Sequence, residues 1–184
     1  MDFTLILIIS LLVIALGTII FFFSRYKKCP SDRILVIYGK TGGGGRSSNC
    51  MHGGAAFIWP VIQAYEFLDL TPIKLDIKEQ KFSQSDGTTI KLPARCTVGI
   101  STERGVMANA AERLLGQQLE SVKDLAEDII QSSITHVMDR TGSIINNSAK
   151  IEAIDAIEAR AALELTKVGL KIISMELRMR LIES

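Results

Sequence analysis

Three cysteines in 184 residues, Cys29, Cys50 and Cys96, are odd in number and follow no paired spacing, which excludes a disulfide framework and a zinc site. Reduced thiols in the cytosol fit that usage. Only two histidines occur, His52 and His136, and neither has an Asp, Glu, His or Cys at metal-ligand spacing. With so few imidazoles a Ser-His-Asp arrangement has little to be built from, and no serine stands in a nucleophile-elbow pattern. Charge of one sign is missing too. The 21 Lys and Arg nearly balance the 20 Asp and Glu, so the chain lacks the concentrated basic surface that nucleic acid requires. Between Phe3 and Phe23 charge is absent altogether, and there the sequence turns from what it lacks to what it holds.

Of the 21 residues from Phe3 to Phe23, 17 are apolar. As a helix rising about 1.5 Å per residue, such a run covers roughly 31 Å, the hydrocarbon thickness of a bilayer. It begins Met-Asp and ends in Phe21, Phe22 and Phe23, without the basic start and small-residue cleavage site of a secretory signal, so a retained anchor over residues 1–24 is expected. Phe3, Leu5, Ile9, Leu12, Ile14, Ile19, Phe21 and Phe23 are its lipid-facing candidates. Asp2 precedes the run, whereas Arg25, Lys27, Lys28 and Arg33 follow it. The positive-inside rule then puts the N-terminus outside and all that follows in the cytoplasm, in a single pass through the plasma (inner) membrane. Arg25, Lys27 and Lys28 are placed to meet anionic headgroups. Cys29 lies within reach of S-acylation, with an unmodified thiol the plainer reading. Six residues, Ser24 to Cys29, read as a tether of about 20 Å at most, which keeps the domain on the bilayer.

Residues 25–184 read as one α+β domain, mainly β over 25–101, then helices and a closing strand over 102–184. Ile34 to Tyr38 is a buried strand stopped by Gly39, and the glycine-dominated stretch 40–54 is a loop or tight hairpin. Ala55 to Trp59, ending at Pro60, and Tyr65 to Leu70 lead into the alternating run Ile73 to Lys78. After a turn at Ser85-Asp86-Gly87, Ile90, Leu92, Ala94, Cys96, Val98 and Ile100 share one face of a long strand, in which Pro93 calls for an edge position or a bulge. The period then changes. Met107, Ala110, Ala111 and Leu114 predict one helix; Leu119, Val122, Ala126, Ile129, Ile130 and Val137 predict a second beyond a corner at Gly116. A third helix starts near Asn147-Ser148 and runs to Lys167, closed by Gly169. The last strand, from Leu170 to Leu181, carries Ile173, Met175, Leu177, Met179 and Leu181 on one face and has no strand after it. Its free edge makes Met175, Leu177, Met179 and Leu181 candidates for self-association.

The chemistry-bearing motifs fail on context. Gly39-Lys40-Thr41 ends like a phosphate-binding loop, but Ile34 stands where that loop needs its first glycine and Gly42 to Gly45 cannot start the required helix. Gly42-x-Gly44 has Ser47 in place of the third glycine of a dinucleotide fingerprint. No nucleotide or other cofactor is expected. Glu127-Asp128 and Glu152 with Asp155 read as solvated helix faces rather than an acid/base couple, with nothing apolar beside them to separate their pKa values. His136, next to the Val137 stripe, reads as a partly buried, hydrogen-bonded residue rather than a ligand or base.

Several short motifs, in order, give the chain a resemblance. Gly53-Gly54-Ala-Ala-Phe57-Ile58-Trp-Pro60, then Asp86-Gly87 ahead of the long strand, then Ala110-Ala111-Glu112-Arg-Leu114-Leu115-Gly116, then Gly169-Leu170-Lys-Ile172-Ile173-Ser174-Met175 resemble the flotillins of the SPFH superfamily of stomatins, prohibitins and flotillins. The likeness covers residues 30 to 180, and the single N-terminal spanning helix is similar to one bacterial type. It implies an SPFH-like fold and a scaffold without enzymatic activity, which organises membrane microdomains by lateral self-association. The expected partners are the lipid bilayer, further copies of the chain and client membrane proteins. The alternative is a regulatory subunit that binds a membrane protease or transporter. The Ala/Glu-rich coiled coil that follows the domain in the family is not written before Ser184, which favours lateral contacts over a large cage or ring.

Overall fold

A computed structural model describes residues 3–39, 48–83, 89–141 and 147–182, the side chains of Asn147, Leu181 and Ile182 excepted. The chain is α+β and divides into two compact units, Met1–Leu68 and Asp69–Ser184.

The first unit opens with helix α1, Phe3–Ser24, in which no residue is buried. Ser10, Thr18 and Ser24 donate hydroxyl hydrogen bonds back to the carbonyls of Leu7, Ile14 and Phe21 respectively, so these three polar side chains are satisfied inside the helix. Strand β1, Tyr26–Lys28, follows after one residue. It pairs antiparallel with β4, Ala55–Phe57, setting Tyr26 against Phe57 and Lys28 against Ala55. The six residues expected as a tether are therefore part of the fold: Cys29 N–H donates to Gly54 O at 2.9 Å and Ile58 N–H to Arg25 O at 3.1 Å. The reason is local. Side chains alternate along Tyr26-Lys27-Lys28-Cys29, so Cys29 enters a core with Leu35, Ile37 and Ile58 on the face that Lys27 half-buries, while Tyr26 and Lys28 on the other face are exposed. Strand β2, Arg33–Gly39, is the expected apolar run, and it pairs antiparallel with β3, Ser48–His52, across the glycine-rich stretch. Gly42 to Gly45 lie outside the described residues. Strand β5, Gln63–Asp69, completes the three-stranded order β3-β2-β5.

The second unit is a sheet with helices on one face. Strand β6, Ile73–Ser83, pairs antiparallel with the long β7, Thr89–Ile100. The turn expected at Ser85-Asp86-Gly87 falls outside the described residues. Ile90, Leu92, Ala94, Cys96 and Val98 are all buried, as their alternation requires. β7 is central, however, not an edge. Strands β8, Leu170–Leu177, and β9, Arg180–Ile182, both pair on its far side. Pro93 is accommodated by bulging: the β6 register slips between Ile77 and Gln80 opposite it, and the closing strand breaks at Arg178 and Met179. Pro93 turns its carbonyl to the closing strand, where Arg178 N–H donates to it at 3.2 Å, and has no N–H to give in return, so the ladder on that side breaks.

Helices α2, Arg104–Leu114, and α3, Leu119–Arg140, meet at a corner where Gly116 takes φ +74°. Met107, Ala110, Ala111 and Leu114 are buried as expected. On α3 the buried face is Val122, Ala126, Ile130, Ser133, Ile134, Val137 and Met138. Leu119, expected on that stripe, is instead exposed, because the first residue of the helix lies beyond the part that packs. Ser133 is buried without cost to its hydroxyl, which donates to Ile129 O at 2.8 Å. Helix α4, Asn147–Val168, buries a narrow row of Ala153, Ile157, Ala161 and Leu165; Asn147 and Ser148, expected as its cap, are instead its first two residues. Gly169 ends it at φ +93°, and its carbonyl accepts a hydrogen bond from Ser101 N–H at 3.0 Å.

Candidate membrane-facing site

Most of the exposed large apolar side chains among the described residues lie in the first unit, along α1 and from Trp59 to Ile62. Phe3, Leu5, Ile9, Leu12, Ile14, Ile19, Phe21 and Phe23 are all exposed, leaving an apolar helix of 22 residues that no other described part of the chain covers. At about 1.5 Å per residue this is roughly 33 Å, enough to span a bilayer once. Aromatic contacts carry that surface into the fold. Phe22 stacks on Phe57 with ring centroids 5.9 Å apart, and Phe57 meets Trp59 edge-on at 5.5 Å. Trp59 is 57% exposed and is followed by Pro60, a fully exposed Val61 and an exposed Ile62. Val61 also takes φ +76°, a left-handed conformation that a β-branched residue adopts only at a cost.

The basic residues sit among these rings. Arg25 places its guanidinium carbon 5.3 Å from the Phe21 centroid, and Lys27 places Nζ 5.5 Å from that of Tyr65. Both are cation–π distances. Lys28 is exposed. Cations and rings interleaved at the end of an apolar helix are the groups that a bilayer accepts at its interface, beside its phosphates. Arg25, Lys27 and Lys28 were legible from the sequence. Trp59, Val61 and Ile62 were not, although an exposed reading of Trp-Pro-Val-Ile was available from Pro60, which ends the strand and forces a loop.

Cys29 is enclosed rather than presented to lipid: its Sγ lies 3.3 to 3.5 Å from the carbonyl oxygens of Pro30, Arg33 and Met51. S-acylation there would require this packing to open. Cys96 is buried in the second unit, and burial, with a smaller contribution from Glu158, pushes its thiol up to about 11. At pH 8 only about one thiol in a thousand is then ionised, so Cys96 is expected to resist maleimide in the folded chain and to react once it unfolds. Labelling as fast at pH 8 as in denaturant would contradict this burial. Because the folded value lies above the ordinary 9.0, the stabilisation is fully present below pH 9 and is lost as the pH rises through about 11.

The candidate association edge is the outer side of β8, which pairs with no other strand among the described residues. Met175, Leu177 and Met179 are half-buried, and the side chain of Leu181 lies outside the described residues. A bulge opposite Thr97 and Val98 and the break at Arg178 leave only Ser174–Leu177 as a flat edge. Elsewhere the acidic pairs stay apart from any apolar wall: Asp128, Glu152 and Asp155 are exposed and Glu127 is half-exposed. His52 is an exposed residue whose Nδ1 lies 3.3 Å from Arg33 O, and His136 is half-buried on α3. Among the described residues no three His, Cys, Asp or Glu side chains converge as metal ligands would.

Residues 27–179 match the SPFH domain / Band 7 family. The chain is also 24% identical over 181 residues to the flotillin-like protein FloT of Bacillus subtilis (strain 168), an alignment that takes in 93% of this chain and 35% of that protein. This chain thus spans about a third of the relative's length. With the match running from β1 into the break before β9, through both compact units, the chain belongs to the SPFH domain / Band 7 family.

Proposed function

We propose that the protein is a non-catalytic, membrane-anchored scaffold of flotillin type that organises membrane microdomains by lateral self-association. The observation that carries the reading is the unbroken apolar and aromatic path from α1 through Phe22, Phe57 and Trp59 to Val61 and Ile62. A spanning helix alone anchors a chain. A second apolar tip beside its exit, backed by β1 pairing with β4, fixes the first unit against the membrane surface. Copies held this way share one orientation in a thin layer, which raises their effective concentration and lets weak contacts form. The flat stretch Ser174–Leu177 of β8 offers backbone groups for such a contact. Arg25, Lys27 and Lys28 orient the helix with its N-terminus outside and the rest in the cytoplasm. Family membership and the apolar N-terminal helix support association with a membrane; the self-association and the orientation are the proposal's own content.

Cross-linking in native membranes tests it. A ladder of homo-oligomers is expected from the full chain. A soluble form for comparison should start at Arg25, since a start at Pro30 would remove β1, and it is expected to be largely monomeric at micromolar concentration. One defined complex with a different protein, and no ladder, would replace the scaffold with a regulatory subunit.

A further inference from the structure

The sheet face turned away from the helices of the second unit carries a charge pattern that membrane anchoring does not use. Antiparallel register sets Lys81 opposite Lys91 and Lys91 opposite Arg180, so three cations stand in one row across β6, β7 and β9. Four residues along β7, the row Asp76, Arg95, Glu176 alternates in sign. The second arrangement is what cross-strand pairing favours, whereas like charges directly opposite one another destabilise a sheet. The acidic neighbours neutralise only the middle of the first row. Glu79 reaches Lys91 at 3.3 Å and Asp76 holds Arg95 at 3.2 Å, but Glu176 approaches Arg178 only to 3.8 Å. Lys81 and Arg180 are exposed and make no ion pair among the described residues.

Next to this row Pro93, Arg95, Glu176, Arg178 and Arg180 line a cleft of about 210 Å³. It exists because Pro93 interrupts the ladder: the closing strand breaks at Arg178, whose N–H donates to Pro93 O at 3.2 Å. Three arginines and one glutamate thus line a small opening beside Pro93, with Arg95 already paired to Asp76. We propose that this cleft binds a phosphate-class anion, either the phosphate of an anionic lipid headgroup or a free phosphate. The planar fork of arginine matches phosphate oxygens with paired N–H donors, and an anion between Arg178 and Arg180 relieves the repulsion within the cation row. Glu176 must yield Arg178 to the ligand, and at 3.8 Å that contact is already loose. The proposal is independent of the scaffold reading.

Amide hydrogen exchange on the full chain in nanodiscs tests it in two arms. One uses phosphatidylcholine discs with 10 mM inorganic phosphate added; the other uses discs containing phosphatidylglycerol and no free phosphate. For a site of millimolar affinity, exchange of exchange-competent amides in residues 89–95 and 178–182 is expected to slow about tenfold in the phosphate arm. Slowing in that arm assigns a free phosphate, and slowing in the lipid arm alone assigns a headgroup. Arg178→Gln with Arg180→Gln should abolish it while leaving exchange in β2 unchanged, since both arginines are exposed. No slowing in either arm, or slowing that survives the double substitution, overturns the proposal.

Discussion

Val13→Arg combined with Ile14→Arg is expected to take the chain out of the membrane. Both residues lie at the middle of α1 and both are more than 60% exposed, so nothing in the protein would shelter a guanidinium there. An arginine at the centre of a spanning helix costs about 2.5 to 3.5 kcal/mol on insertion scales, and two cost roughly 5 to 7 kcal/mol. Snorkelling from the centre is least effective, because each end of the helix is then about 15 Å away. The result should be a loss of alkali-resistant membrane association, with the chain soluble or aggregated. Arginine at position 3, close to the interface, should be tolerated by comparison. Retention of the double variant in carbonate-washed membranes would show that α1 is not the anchor and that the apolar tip at Trp59 to Ile62 holds the chain alone.

Gly169→Val is expected to unfold the second unit. The position joins α4 to β8, and it takes φ +93° to turn the chain from helix into strand. A Cβ built there would lie 2.3 Å from both Cα and N of Ala110, which is backbone of α2 and cannot rotate away. Two costs therefore add: about 1 to 3 kcal/mol for a side chain in the left-handed region and about 1 to 3 kcal/mol or more for the forced separation of packed elements. Their sum, about 2 to 6 kcal/mol or more, is a large fraction of the stability of a domain of this size. Separating Gly169 from α2 also strains the hydrogen bond from Ser101 N–H that ties the strand start to the end of β7. Gly116→Ala separates the two causes. It has φ +74° but open space around its missing Cβ, so only the first cost of about 1 to 3 kcal/mol should appear. Thermal unfolding of the two variants decides it, and equal destabilisation would mean that the contact with Ala110 does not constrain the fold.

What the sequence made legible follows from where periodicity meets one-sided burial. The long strand from Thr89 to Ile100 alternates and one of its faces is core, so its existence and its buried residues from Ile90 to Val98 could be read, whereas at its end Gly99 is buried and Ile100 only half-buried. The helices of the second unit were legible for the same reason, with Gly116 and Gly169 marking their corners. Pro93 was read correctly as an obstacle to pairing, but nothing in one sequence says whether the strand or its neighbours must yield. Strand β1 went unread because three residues carry no period, and its partner Ala55–Phe57 is as short. Leu119 shows the opposite limit: helical spacing put it on the stripe, while the packing stops short of it. The cation row of Lys81, Lys91 and Arg180 is a product of register alone and has no signature along the chain. At the membrane-facing site, charges next to an apolar run were legible as such, whereas the exposure of Val61 depends on a backbone angle that no composition reveals.

Trp59 is the chain's single tryptophan, so the unmodified protein reports on its own placement. On the proposed function the first unit lies against the bilayer through the ring path from Phe22 to Trp59 and the tip at Val61 and Ile62. Tryptophan fluorescence of the full chain in vesicles whose lipids carry bromine at defined depths along the acyl chain measures this directly. Blue-shifted emission, quenched most by bromine near the headgroup and less by bromine near the chain end, is the result expected of a ring in the interface. Emission like that of tryptophan in water, with no quenching at any depth, would place Trp59 away from the membrane and contradict the account.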